Sequence, residues 1–240
     1  MSKQISIPKI KQIGIELEGA WITQPSHESL QCHGDGSVSV TTCKCGARDR
    51  GEACRSSECC RYVGEVVSIP LNSIDEAVTW LDTFYPKISN KTCGMHIHVS
   101  LIDKLSYMRL MSRTFYNYFL TRVTAWGVEK KINEGTIFWE RLTGQNRYCL
   151  KKFIPEAQIK HTSKGGERYT HLNYCYGVHQ TIECRLFPTF QKKELSLSAL
   201  KLYADIIETF LAKTPREKTI EEVILDEEEP KVMGELICVS

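Results

Sequence analysis

Gly94-Met95-His96-Ile97-His98-Val99-Ser100 places two histidines one residue apart in an otherwise apolar, β-branched run. Side chains alternate between faces along an extended chain, so His96 and His98 project to the same side. Such a pair suits a metal ion or a phosphate, and equally a strand whose histidines are satisfied by ordinary hydrogen bonds. The segment predicts a strand with an apolar face and a face able to carry chemistry.

Runs of the same kind flank it. Ile10 to Ala20 alternates, with Ile13, Ile15 and Leu17 on one side and Glu16 and Glu18 on the other. Tyr62 to Ile69 reads as a strand carrying Glu65 and Ser68 and ending at Pro70. Arg168 to Tyr176 and Gln180 to Phe187 read as a strand pair joined around Gly177, with Glu183 and Arg185 on the second member. Helical signals lie between the strands. Ser73-Ile-Asp-Glu76 opens a capping-box-like helix with apolar Ile74, Ala77, Val78, Leu81 and Phe84. Lys104 to Trp126 reads as one long helix whose stripe of Leu105, Met108, Met111, Phe115, Phe119 and Val123 belongs to a core, and Glu194 to Ala212 is a last amphipathic helix.

The remaining segments are irregular. From about 23 to 61 the chain is rich in Gly, Ser, Cys and charge, with a turn at Gly34-Asp35-Gly36-Ser37, and reads as a long insert that is functional or internally stapled. The stretch 132–166 mixes aromatic, glycine and basic residues, carries Arg141 and Arg147, and reads as loop with short helical pieces. A tail at about 214–240 holds a short helix and acidic Asp226 to Glu229.

A chain of 240 residues is expected to form a single domain. Its formal net charge of +2 and its scattered basic doublets do not call for a nucleic-acid partner. No apolar run approaches the roughly 20 residues that span a bilayer, and Met-Ser-Lys-Gln lacks the apolar core of a signal peptide. A soluble, cytoplasmic protein is expected. Of eleven cysteines, five crowd into Cys43, Cys45, Cys54, Cys59 and Cys60. In a reducing compartment such a cluster favours a metal over disulfides. Four of them can make a structural Zn²⁺ site, with Cys32 and His33 as substitutes, although the spacing is not that of a zinc ribbon. Free thiols in a flexible loop, or disulfides formed after isolation, are the alternatives. Cys184, inside an apolar run, reads as a core residue.

Two glutamates at i and i+2 on a strand lie about 7 Å apart on one face, where each raises the other's pKa unless a cation intervenes. Alone, Glu16-x-Glu18 is compatible with a solvent-facing edge, and Glu183-x-Arg185 with a cross-strand ion pair. Jointly, several carboxylates and a histidine suit Mg²⁺ or Mn²⁺, and nearby arginines suit phosphate, the parts needed for phosphoryl transfer from ATP.

The ordered set resembles a known family. Gly94-Met-His-Ile-His-Val-Ser100 is similar to a segment of glutamine synthetases. The closer resemblance is to the amidoligases, small carboxylate–amine ligases on the glutamine synthetase catalytic fold. It rests on Gly14-Ile-Glu-Leu-Glu18, Asp35-Gly-Ser37, Glu65-Val-Val-Ser68, the histidine strand, Arg168-Tyr169 with Asn173, and Ile182-Glu-Cys-Arg185, and it spans roughly 10 to 212.

The resemblance implies an α+β fold with a curved, mostly antiparallel sheet, helices on one face and the site on the other. It implies that Glu16, Glu18, Glu65, His96 and Glu183 ligate two or three metal ions between ATP and an acyl substrate, with His98 near the nucleotide. Arg185 and Arg168 would contact phosphate, with Arg141 and Arg147 as weaker candidates. Asp35 and Asn173 would position a substrate amine or carboxylate. The implied reaction forms an acyl phosphate from ATP and a carboxylate, which an amine converts to an amide. Candidates for the amine or carboxylate partner include a free amino acid, a peptide terminus or side chain, and a modified nucleobase, and the residues do not choose among them. A phosphotransferase on the same scaffold and a zinc-stapled binding module without catalysis are the competing readings.

Overall fold

In a computed structural model, residues 9–40, 59–154 and 169–213 are described. Cys43, Cys45 and Cys54, Arg168 and the tail 214–240 lie outside them. The described residues form an α+β arrangement in the order β1 (Ile10–Trp21), β2 (Leu30–His33), β3 (Tyr62–Ser68), α1 (Ile74–Thr83), β4 (Met95–Leu101), α2 (Lys104–Leu110), α3 (Arg113–Glu129), α4 (Ile137–Thr143), β5 (Leu172–Cys175), α5 (Tyr176–His179), β6 (Thr181–Cys184) and α6 (Lys193–Lys213). The strands make one six-stranded sheet, ordered β2-β3-β1-β4-β6-β5, and every adjacent pair is antiparallel.

The two-residue period of the strands separates the faces. Ile13, Ile15, Leu17, Val66, Met95, Ile97, Val99, Leu172, Tyr174, Ile182 and Cys184 are each at most 1 % exposed and form the core with α1, α3 and α6. Each such aliphatic side chain contributes about 1.5–3 kcal/mol on burial. An antiparallel sheet can leave its other face open to polar groups, and here that face carries the glutamates and histidines. Ser68 extends the central pairing: β1 and β3 pair only as far as Glu16 and Val67, and beyond that point Ser68 Oγ accepts the Ile15 amide at 2.9 Å.

The helices depart from the sequence reading in instructive places. The expected helix from Lys104 to Trp126 is two helices. Ser112 Oγ accepts the Phe115 amide at 3.1 Å and caps a new start at Arg113, while Asp103 caps α2 through Ser106. A serine inside an apolar period offers the backbone this local alternative. In α1, Ser73 caps as expected, but the Glu76 carboxylate accepts from Asn72 rather than closing the box on Ser73. Its buried face is Ala77, Trp80 and Leu81.

The expected strand pair around Gly177 starts later, at Leu172, and is joined by the single turn α5 and by Gln180 at φ 54°. The short edge strand β2 lies inside the segment read as loop. Helix α4, one of the short helical pieces expected there, ends at Gly144 at φ 80°, where a Cβ would meet the Lys151 Cβ at 2.6 Å. Cys59 and Cys60 are buried. Cys60 packs with Ala20, Val38, Val40 and Cys93 in a second, smaller cluster. No helix among the described residues is long and apolar enough to cross a membrane.

His171 ties α4 and α3 to the sheet. It is 0 % exposed; its Nε2 lies 2.7 Å from the Arg141 carbonyl and its Nδ1 3.1 Å from the Tyr116 hydroxyl. A neutral ring with Nε2–H donating and Nδ1 accepting satisfies both contacts. Burial pushes its pKa down from 6.5 to about 4, against the opposing pull of the Arg141 carbonyl. The unfolded chain therefore binds the proton first, so this contribution to stability is present above about pH 6.5 and is lost as pH falls toward 4, by about 3 kcal/mol in all. Urea unfolding at pH 7 and pH 5 should show a smaller pH-dependent loss in His171→Gln than in the wild type; equal losses would reject the assignment.

Candidate metal centre

Strand register alone assembles the polar face. Glu16 on β1 stands opposite His96 on β4, and Glu18 stands opposite Glu65 on β3. His98 stands opposite Glu183 on β6, and Glu183 opposite Asn173 on β5. Five strands thus deliver side chains to one place. Glu18, His96 and Glu183 are buried although they lie on the face away from α1, α3 and α6.

His96 Nδ1 is 2.9 Å from Glu16 Oε2 and 3.6 Å from Glu183 Oε1. His98 Nε2 comes within 3.0 Å of Glu16 Oε1 and 4.0 Å of Glu183 Oε1. The closer approach lacks hydrogen-bond alignment, so Nε2 is a buried polar atom without a hydrogen-bond partner. Both oxygens of Glu183 are engaged: Arg185 Nη1 donates at 2.6 Å to Oε1, the oxygen nearest the histidines, and Asn173 Nδ2 donates to Oε2 at 2.7 Å. The Gly94 amide donates to Glu18 Oε2. Gly94 is required by space, since a Cβ there would meet His96 Nε2 at 2.8 Å, Glu18 Oε2 at 3.2 Å and Arg141 Nη1 at 3.3 Å.

The electrostatics divide the acids. Burial raises the Glu16 pKa, but His96 and His98 reverse this and hold it well below the usual carboxylate range. Burial likewise opposes ionisation of Glu183, which Arg185 and the two histidines bring below its ordinary value. His98 is raised, the Glu16 and Glu183 carboxylates outweighing burial. Glu65 goes the other way: burial, then the charges of Glu16, Glu18 and Asp35, push it up to about 8. Around Glu65 the charges of the neighbouring acids outweigh that of Arg185, which opposes them.

That surplus suits divalent cations. Two donor groups, Glu16–His96–Glu183 and Glu18–Glu65–His96, each keep their ligand atoms within 4.8 Å of one another. Oxygen donors with a single imidazole fit Mg²⁺ or Mn²⁺. A cation bound beside Glu65 would offset the neighbouring acidic charges that raise it.

The other expected residues divide. Asp35 faces Glu65 electrostatically, and its carboxylate accepts the Ser37 amide at 2.7 Å. Arg185 joins the centre and lies over the Tyr169 ring at 5.5 Å. Asn173, expected to position a substrate group, donates its amide to Glu183 and so orients that carboxylate. Arg141 is 2 % exposed and donates to the Arg185 and Phe187 carbonyls, so it braces the back of the centre instead of presenting itself to phosphate. Arg147 is exposed and stacks on Tyr148 at 4.6 Å. His98, the expected nucleotide contact, sits beside the Glu16 and Glu183 carboxylates.

Sequence reasoning passed over the Gly94 amide and Thr181. Thr181 Oγ1 lies 3.3 Å from His98 Nδ1, and only its position two residues before Glu183 hinted at a role. Cys32 Sγ donates to the Pro25 carbonyl at 3.2 Å, while the zinc expectation rests mainly on cysteines outside the described residues.

Comparison with protein-family models, curated proteins and solved structures returned no match to this chain. Mg²⁺ at about 100 times its dissociation constant should stabilise the protein by about 2.7 kcal/mol. Gly94→Ala should abolish most of that gain. Thermal unfolding with Mg²⁺ or chelator checks this, and an undiminished gain in the variant would place the cation elsewhere.

Proposed function

We propose that the protein is an ATP- and Mg²⁺-dependent carboxylate–amine ligase of the amidoligase type, on a glutamine synthetase-like fold. The observation that carries the reading is the gathering of Glu16, Glu18, Glu65, His96 and Glu183 into two adjoining donor groups sharing one histidine. Paired cation sites of this kind are what phosphoryl transfer requires, because the transferred group spreads charge over several oxygens. The resemblance in motif order adds the substrate class.

On this reading, Glu16 and Glu183 with His96, and Glu18 with Glu65, hold the cations, which supply neutralisation of phosphate charge. Arg185 supports the same end from the protein side: its guanidinium is already oriented by Glu183 and keeps further donors for a phosphate oxygen. Asp35, whose charge acts on Glu65, would attract a substrate ammonium. A substrate carboxylate oxygen attacks the γ-phosphorus of ATP, and ADP leaves. The amine nitrogen then attacks the acyl carbon, phosphate leaves, and the amine proton passes to solvent or a carboxylate. No covalent enzyme intermediate is needed.

The full chain with ATP, Mg²⁺ and a panel of carboxylates with amino acids, peptides and amines should release ADP and phosphate and yield an amide detectable by mass. Glu16→Ala and His96→Ala should lower turnover at least about 100-fold, in keeping with a cation worth several kcal/mol to the transition state. Absence of both turnover and Mg²⁺-dependent nucleotide binding would sink the proposal. A stable phosphorylated product in place of an amide would assign a phosphotransferase.

A further inference from the structure

We propose that the exposed apolar side of α2, formed by Ile102, Leu105 and Met108, is a docking surface for the chain's own segment 219–225. The inference stands apart from the cation centre and does not depend on the ligase reading.

The surface exists because the expected long helix is broken. A continuous helix from Lys104 would carry Leu105 and Met108 in the same buried stripe as Phe115, Phe119 and Val123. The new start capped by Ser112 ends that stripe, and α2 buries Ser106, Tyr107 and Leu110 instead. Leu105 is left 44 % exposed and Met108 41 %, with Ile102, just before the Asp103 cap, at 47 %. Three of the six exposed large apolar residues among the described ones therefore fall within seven consecutive positions. Such residues scattered singly are ordinary, whereas a cluster of them marks an interaction surface.

Connectivity selects the partner. Arg109 Nη2 donates to the Leu211 carbonyl at 3.0 Å, so α2 sits against the last turn of α6, where the chain passes on to 214–240. Ile220 is seven residues beyond Lys213, a reach of about 23 Å, and α2 is only about 10 Å long. A tether this short gives an effective concentration on the order of millimolar.

Pattern and charge agree with that choice. Thr219 and Glu222 have the capping-box spacing, and Ile220, Val223 and Ile224 fall at helical spacing on one side, with Glu221 and Glu222 away from it. Eight acidic and three basic residues leave 214–240 at −5, so the remainder of a chain with net charge +2 carries +7. The cations around the apolar side of α2 are Lys9, whose carbonyl accepts the Ile102 amide, Lys104 and Arg109. The nearby acids are occupied: Asp103 accepts the Ser106 amide and hydroxyl, and Glu208 accepts the Lys9 and Ile10 amides. An amphipathic helix laying its apolar side on such a surface is a recurring mode of recognition.

Hydrogen exchange and methionine oxidation on the full chain test the proposal from both sides. Amides of 219–225 should exchange slowly, and Leu105→Glu with Met108→Glu should accelerate them at least about tenfold, since two aliphatic contacts are lost. Conversely, peroxide should oxidise Met108 at least about tenfold faster in Ile220→Asp with Ile224→Asp than in the parent chain. Exchange of the β1 and β4 amides should stay unchanged in both double variants, which separates undocking from unfolding. The oxidation rates decide by themselves should the α2 variant fail to fold.

Fast exchange of 219–225 in the parent chain, or slow exchange that ignores the changes at Leu105 and Met108, overturns the inference. An oxidation rate of Met108 that ignores the changes at Ile220 and Ile224 does the same. Protection that appears only as the chain concentration rises, together with a dimer in size-exclusion chromatography, assigns the surface to a second copy and overturns it as well.

Discussion

Antiparallel pairing of β1 with β4, at the one register that sets Glu16 opposite His96, is the constraint from which the rest follows. A slip of one residue would turn Ile13, Ile15 and Leu17 away from α1, α3 and α6 and drive Glu16 and Glu18 into the core. The apolar face therefore enforces the register with the burial energy of a whole strand. The polar face inherits its geometry from that enforcement, because side chains two residues apart cannot choose their side independently. Glu18 meets Glu65 and His98 meets Glu183 through the same ladder, extended one strand in each direction.

The polar face is where the fold accepts an electrostatic cost. Glu16 and Glu183 are ionised against burial because histidines and Arg185 stand beside them, whereas Glu65 is pushed up to about 8 by burial and the surrounding acids. Sites that deviate from the lowest-energy arrangement are where function concentrates. The core under the sheet offsets the cost, and the bracing residues keep the arrangement from relaxing. Arg141 reaches from α4 to the Arg185 and Phe187 carbonyls, His171 receives α4 in turn, and Asn173 and Thr181 fix Glu183 and His98. The bare Cα of Gly94 admits the crowd.

Much of this was legible in the chain. Alternation in Ile10 to Ala20 and around His96 announced two-faced strands, Ser73 announced a helix start, and the recurrence of Glu and His on those strands announced a shared site. What stayed hidden has local causes. Ser112 looked like one polar residue in a helical stripe, yet its hydroxyl caps a second helix. Four-residue β2 is too short for a periodic signal. Arg141 reads as a phosphate ligand by type, but its neighbours turn it inward.

The sequence by itself determined which residues share a face, because the two-residue period of an extended chain is a property of the backbone and needs no partner. It also determined the chemical character of each face, apolar under the helices and acidic with imidazole on the other. Only the tertiary structure decided the strand order, and with it which carboxylate meets which histidine. It also decided that Asn173, Arg141 and Thr181 support the centre. These are distances between segments far apart in the chain, set by pairing and packing, and no local pattern encodes them. His98 is the clearest case: its side of the strand was written in the sequence, and its place between Glu16 and Glu183 required β1, β4 and β6 to meet.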